Sequence, residues 1–130
     1  DAGELKRFQK QINAENILIF NDIKKKHSSY SITNDVDIAE TAHAAEFFLS
    51  DGVIITGVAT GKEADIEEVK KVKSAVKIPV LVGSGINTEN VKEFYRISDG
   101  LIIGSYFKKS GYWENEIDIE RVEKIVRLIM

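Results

Sequence analysis

Residues 80–90 read Val80-Leu81-Val82-Gly83-Ser84-Gly85-Ile86-Asn87-Thr88-Glu89-Asn90. An apolar, β-branched run stops at a Gly-Ser-Gly turn, and helix-start residues follow at once. That order is the signature of a strand feeding a helix. The chain's single proline, Pro79, opens the run, where a missing N–H does not break a sheet ladder. Asn87 or Thr88 is the expected cap of a helix reaching about Ile97.

The same unit recurs on both sides. Upstream, Val53 to Ile55 reads as a strand, residues 56–61 as a glycine-bearing loop, and residues 63–76 as an amphipathic helix with Ile66, Val69, Val72 and Val76 on one face. Before that, Ile17 to Phe20 reads as a strand and residues 21–34 as a polar loop. Residues 35–50 read as a helix capped by Asn34 or Asp35, with Ile38, Ala42, Ala45 and Leu49 inward. Downstream, Leu101 to Ile103 is the last strand. A final helix starts at Ile119 with Asp118 as cap and Ile117 stapled against Val122. A first helix over residues 3–14 carries Leu5, Phe8 and Ile12 on one face. The sum is α/β: one helix, then four βα units. The uninterrupted apolar strands predict a parallel sheet buried on both faces.

An internal repeat supports this reading. Ser50-Asp51-Gly52-Val53-Ile54-Ile55 matches Ser98-Asp99-Gly100-Leu101-Ile102-Ile103, two βα units apart. A barrel of repeated βα units accounts for such a match better than an open doubly wound sheet does.

With 130 residues, 43% hydrophobic, and a net charge of −3, the composition fits one globular domain with enough apolar residues for a core. Nucleic acid is not an expected partner: the longest basic run is Lys24-Lys25-Lys26, with no aromatics interleaved. The absence of cysteine excludes disulfides, a thiol nucleophile and cysteine-ligated metal. No apolar stretch approaches the ~20 residues of a membrane span, and a cytoplasmic location is expected. The sequence opens at Asp1 rather than Met, so residues upstream are expected.

In parallel α/β proteins ligands bind at the carboxyl ends of the strands. Those ends carry Asp22, Thr56-Gly57, Gly83-Ser84-Gly85 and Gly104-Ser105. Gly83, Ser84, Gly85, Gly104 and Ser105 form a candidate phosphate cup, since glycine lets backbone N–H groups approach an anion and a helix N-terminus beside them would add positive charge. The alternative is that short βα loops require glycine for steric reasons alone. Asp22 is a candidate acid/base, or a simple loop cap. Lys26 could hold an anion or form a Schiff base, and His27 could move a proton. Thr56, Thr60 and Lys62 are candidate substrate-binding residues, with Thr60 alternatively a helix cap. No His and acid spacing implies a metal, and no cofactor is specified. Tyr106, Phe107, Tyr112 and Trp113 form an aromatic loop that could cover a ligand or simply pack.

Taken together, Asp22 to Ser28 with its Lys26-His27, Asp51 to Gly61 with its Thr-Gly-Val-Ala-Thr-Gly, Pro79 to Gly85, and Asp99 to Ser105 with Lys108-Lys109 resemble the BtpA/SgcQ family over nearly the whole chain. Glu116 departs from it, standing where the family often has proline. The resemblance implies a (β/α)₈ barrel of about twice this length, with residues 1–130 as a single half-barrel domain equivalent to strands five to eight. Cyanobacterial members are tied to photosystem I biogenesis and associate peripherally with membranes; bacterial members sit among sugar-utilisation genes. A half barrel exposes two sheet edges and its interior face. Three arrangements are therefore expected to compete: a homodimer of half barrels, pairing with a missing N-terminal half, or reclosure as a flavodoxin-like open sheet. Two functions follow. One is binding of, or catalysis on, a phosphorylated small molecule such as a sugar phosphate, in which a bulky residue at Gly85 abolishes binding without unfolding. The other is a non-enzymatic assembly or scaffold factor for a membrane protein complex.

Overall fold

Four short strands lie side by side in chain order, all parallel: β1 (Phe20–Asp22), β2 (Gly52–Ile55), β3 (Val80–Gly83) and β4 (Gly100–Ile102). The helices are α1 (Ala2–Gln11), α2 (Ile38–Phe47), α3 (Ile66–Ala75), α4 (Val91–Ile97) and α5 (Ile119–Ile129). Two 3₁₀ turns, Ser105–Phe107 and Lys109–Gly111, fill the connection from β4 to α5. This computed structural model describes residues 2–23, 37–59 and 61–130.

The strand order decides the architecture. When each strand pairs with the next in sequence, right-handed crossovers carry every helix to the same face. Burial follows that rule. Val53, Ile55, Val80 and Val82 point toward the helices and are fully buried, joined there by Val69, Val72, Val91, Phe94 and Ile125. Their neighbours on the other face, Ile54 and Leu81, are only half-buried, and Ile102 is 48% exposed. The expectation of a sheet buried on both faces is therefore corrected: one face is packed, and the other is open. A flavodoxin-like sheet needs a reversal in strand order and helices on both faces; neither is present among the described residues. The arrangement is the curved, single-sided α/β layer from which a (β/α)₈ barrel is built.

Local signals place most elements, with shifts that have physical causes. Asp118 caps α5 by accepting the Glu120 N–H at 3.1 Å, and Ile117, rather than stapling, is exposed and bridges to Lys108. Helix α2 is capped by Asp37, which accepts from Ala39 N at 3.1 Å, so neither Asn34 nor Asp35 has that role. Helix α3 starts at Ile66 under the Asp65 cap, not at residue 63 under Thr60. Strand β1 begins at Phe20 and ends on the polar Asn21-Asp22, because pairing with β2 runs through Asp22↔Ile54. Ile17 and Leu18, assigned to that strand by their hydrophobicity, lie before it and are exposed.

The apolar face of α1 is also uncovered: Leu5, Phe8 and Ile12 are exposed, while Gln9 is the buried residue, donating to the Ile17 carbonyl. Leu49, expected inward, is 70% exposed at φ 65°.

Candidate functional site

Beyond β3 the chain turns left-handed twice, at Ser84 (φ 73°) and Gly85 (φ 67°). For serine this conformation costs on the order of 1–2 kcal/mol. Gly85 has a different reason to be glycine. A Cβ there would lie 2.5 Å from the Glu63 Cα and 2.6 Å from the Lys62 carbonyl carbon. Gly57 abuts the same Lys62–Glu63 backbone, 2.7 Å from that carbonyl carbon. Gly57 lets the loop after β2 fold back on itself, and Gly85 lets the loop after β3 lie against it. The steric reading of Gly85 is therefore the one the geometry supports, and a bulky residue there would disturb the fold rather than leave it intact.

Asn90 locks this contact. Its Nδ2 donates to the Gly85 carbonyl at 2.8 Å and to the Glu63 carboxylate at 2.9 Å, and its Oδ1 accepts from Asn87 N at 2.8 Å. The Asn87 side chain accepts from the N–H groups of Glu89 and Asn90, at 2.9 and 3.1 Å, so it caps the turn that precedes α4. Helix α4 itself begins only at Val91. The N-terminus of α4 thus stands six residues beyond Gly85, on the turn that Asn87 caps, rather than at the Gly-Ser-Gly turn itself.

Beyond β4, Gly104 has φ −116° and a Cβ built on it meets no atom within 4 Å. A single 3₁₀ turn follows, Phe107 N donating to the Gly104 carbonyl at 3.0 Å. Between the two strand-end turns lies a cavity of about 390 Å³, with Ser84, Gly85, Asn87, Gly104, Ser105 and Arg121 in its wall. Among the described residues, no backbone carbonyl pairs with the N–H of Gly85 or Ser105. Gly83 takes no part: it is buried in β3, its Cβ position 3.6 Å from Ile102 Cβ and 3.7 Å from Thr56 Cγ2.

The remaining candidates fall elsewhere. Asp22 sits exposed at the end of β1, with the buried Thr56 hydroxyl 3.5 Å from its Oδ2. This pair tops β1 and β2, while the cavity lies over β3 and β4; Thr56 is close to it, its Cγ2 3.7 Å from the Gly83 Cβ position beside the lining Ser84, and Asp22 at the end of β1 stands two strand spacings, ~10 Å, from β3. Lys62 contributes its backbone to the glycine contacts and exposes its side chain. Lys26, His27 and Thr60 lie outside the described residues. The aromatic loop is divided: Tyr106 is half-buried in the cavity wall, while Tyr112 and Trp113 pair at 6.2 Å between centroids and face outward.

Arg121 was missed in the sequence. It comes from the first turn of α5 and is the only charged side chain among the described residues that line the cavity. Its Nε donates to the Tyr106 carbonyl, and its guanidinium lies 4.1 Å from the centroid of the Tyr106 ring. A signal was available: a cation in a helix's first turn opposes the macrodipole, so its presence asks for another reason.

At the opposite end of the sheet, the repeated Ser-Asp-Gly segments do the same structural work twice. Asp51 pairs with Lys6 of α1 at 2.9 Å, and Asp99 with Lys73 of α3 at 2.7 Å. Both carboxyls are held below the usual carboxylate range. For Asp51 the causes are the Lys6 hydrogen bond, then the Ile19 N–H. For Asp99, burial raises the value, and the Lys73 and Val80 hydrogen bonds with the Lys73 charge outweigh it.

Comparison with known proteins places this geometry in context. The model of the BtpA family matches residues 1–130. An uncharacterized mitochondrial protein of Caenorhabditis elegans is 49% identical over 97% of the chain and 45% of its own length. The photosystem I biogenesis protein BtpA of Synechocystis is 30% identical over 97% of the chain and 44% of its own length. The chain thus spans a little under half the length of these relatives. Among solved structures, a putative dihydrodipicolinate synthetase from Pseudomonas aeruginosa superposes with TM-score 0.59 at 16% identity, over 97% of this chain and 42% of that one. A thiamine phosphate pyrophosphorylase from Pyrococcus furiosus does so with TM-score 0.55 at 18% identity, over 98% and 73%. These likenesses establish a TIM-barrel-like fold. No helix among the described residues is long and apolar enough to cross a membrane.

Proposed function

The chain belongs to the BtpA family, and from that premise we propose that it binds a phosphorylated small molecule, a sugar phosphate, with the phosphate in the cavity between the turns after β3 and β4. One observation carries this reading. The cavity wall sets Ser84, Gly85, Gly104 and Ser105 beside Ile86, Ile102, Ile103 and Tyr106, and Arg121 is the only charged side chain on it among the described residues. Open N–H groups and a cation, with no carboxylate beside them, select an anion. The ~10 Å that two strand spacings put between β3 and Asp22 leaves room for the rest of a sugar phosphate to extend past Thr56 toward the ends of β1 and β2. There Asp22 is positioned to exchange a proton, and Lys26 and His27 follow it in the chain as the proposed anion-holding and proton-moving groups.

The test is calorimetric titration with ribose 5-phosphate and with ribose. The reading requires saturable binding of the phosphate ester and at least tenfold weaker binding of the free sugar. Equal affinities, or no binding of either, would remove it.

A second reading rests on the exposed apolar surfaces. The open sheet face around Ile54, Leu81 and Ile102, and the unpaired edges of β1 and β4, need a cover. We assign that cover to a second set of four βα units. The relatives' longer chains have room for such a set in the same molecule; a homodimer would supply it in trans. The exposed Leu5–Phe8–Ile12 face of α1 is a further apolar surface for a partner, and an assembly role of the kind in the Synechocystis relative's name, photosystem I biogenesis, would act through these surfaces.

A further inference from the structure

We infer that Arg121 is the residue that supplies the charge recognition of a phosphate group in the cavity between β3 and β4. This inference rests on the phosphate reading above and goes beyond it by assigning the charge recognition to one side chain.

Arg121 stands in the first turn of α5, where a positive charge is opposed by the exposed N–H groups of the helix end. Asp118, the cap of the same helix, is committed to the Glu120 N–H. No ion pair joins Arg121 to any carboxylate among the described residues. An arginine chosen for stability would ordinarily stand in the last turn or beside an acid, as Arg127 does with Glu123 at 3.2 Å. Arg121 has neither advantage.

It is nevertheless held in place. Nε is fixed on the Tyr106 carbonyl, and the guanidinium carbon lies over the Tyr106 ring, 4.1 Å from its centroid. These contacts use one edge and one face of the guanidinium. The Nη2 edge faces Gly111, 3.3 Å from where a Cβ would stand there, so a glycine keeps that side clear. Gly111 itself has φ 69° and lines the same cavity. A planar fork held at Nε, with no carboxylate paired to it among the described residues, matches a phosphate's paired oxygens better than a lysine's point charge does. Across the cavity, the N–H groups of Gly85 and Ser105 complete the set of donors.

The experiment measures the affinity of the protein for inorganic phosphate, at low and at moderate salt, for wild type, Arg121→Lys and Arg121→Gln. Wild type should bind most tightly, the lysine variant several-fold more weakly, and the glutamine variant about ten- to a hundredfold more weakly with a reduced salt dependence. Circular dichroism checks that each variant is folded. If Arg121→Gln fails to fold, the lysine variant decides alone, because it keeps the stem and charge but not the fork. Wild-type binding that survives unchanged in both folded variants would overturn the role of Arg121 and leave the phosphate site standing. Absence of phosphate binding in the wild type would overturn both.

Discussion

Asp99 and Val80 are bonded to each other twice. The Asp99 N–H donates to the Val80 carbonyl at 2.8 Å, and the Val80 N–H donates to the Asp99 carboxylate at 2.8 Å. Asp51 and Ile19 repeat the arrangement at 2.9 and 2.7 Å. In each case an aspartate at the start of one strand satisfies both backbone groups at the start of its neighbour, and a lysine from a preceding helix ties the carboxylate down. The sequence repeat is thus a repeated register clamp, and it lies at the end of the sheet opposite the candidate site.

These clamps predict an acid-sensitive stability. A carboxyl with a lowered folded-state pKa stabilises the fold above its ordinary value near 4, and the contribution is lost as pH falls through the lower folded value. Asp51→Asn and Asp99→Asn should each destabilise the fold at pH 7 by about 1 kcal/mol or less and lower the melting temperature accordingly, since both groups are partly exposed. At pH 3 the gap from wild type should narrow. Thermal melts at the two pH values check this; a gap unchanged at pH 3 would contradict it.

The two glycine turns should respond differently to substitution. Gly85→Ala places a methyl group into the Lys62–Glu63 backbone at a positive φ and should destabilise by about 2–3 kcal/mol. Gly104→Ala meets open space and should stay within about 1 kcal/mol of wild type. Because Gly104 lines the cavity, that variant should instead weaken phosphate binding. Urea unfolding midpoints, read beside phosphate affinity, separate the two effects.

Asn90→Ala should loosen the turn without emptying the core. It removes three hydrogen bonds that join Gly85, Glu63 and Asn87, at a cost of about 1–3 kcal/mol. Amide exchange at residues 84–87 should speed up, while exchange at Val80 and Val82 should keep its protection until global unfolding.

Covering the open sheet face has a hydrodynamic consequence. If a second copy supplies the four further βα units, sedimentation equilibrium gives twice the mass of the 14.6 kDa chain, and Ile102→Asp or Leu81→Asp returns a monomer. A monomer for the wild type would assign the cover to the other half of a longer product.

Much of this fold was legible because it is local. The β-branched runs Val53 to Ile55 and Val80 to Val82 are strands, and Asp118 is the cap its position suggested. The resemblance to the BtpA/SgcQ family also held, over the whole chain. What sequence reading missed is non-local. Periodicity shows that Leu5, Phe8 and Ile12 share a face, but not that nothing here covers them. Gly85 announces itself as a glycine, yet its reason is a backbone segment on a different loop. Arg121 joins the site only because the last helix packs against α4 and the Ser105–Phe107 turn, which no spacing near Gly83-Ser84-Gly85 reveals.

The most direct test of the central claim is a titration of the ¹⁵N-labelled protein with ribose 5-phosphate, followed by amide shifts. The account predicts saturable shifts concentrated at Gly85, Gly104, Ser105 and the Arg121 side chain, with the Asp51 and Asp99 clamps unmoved. Shifts that leave these turns untouched, or that never saturate, would contradict it.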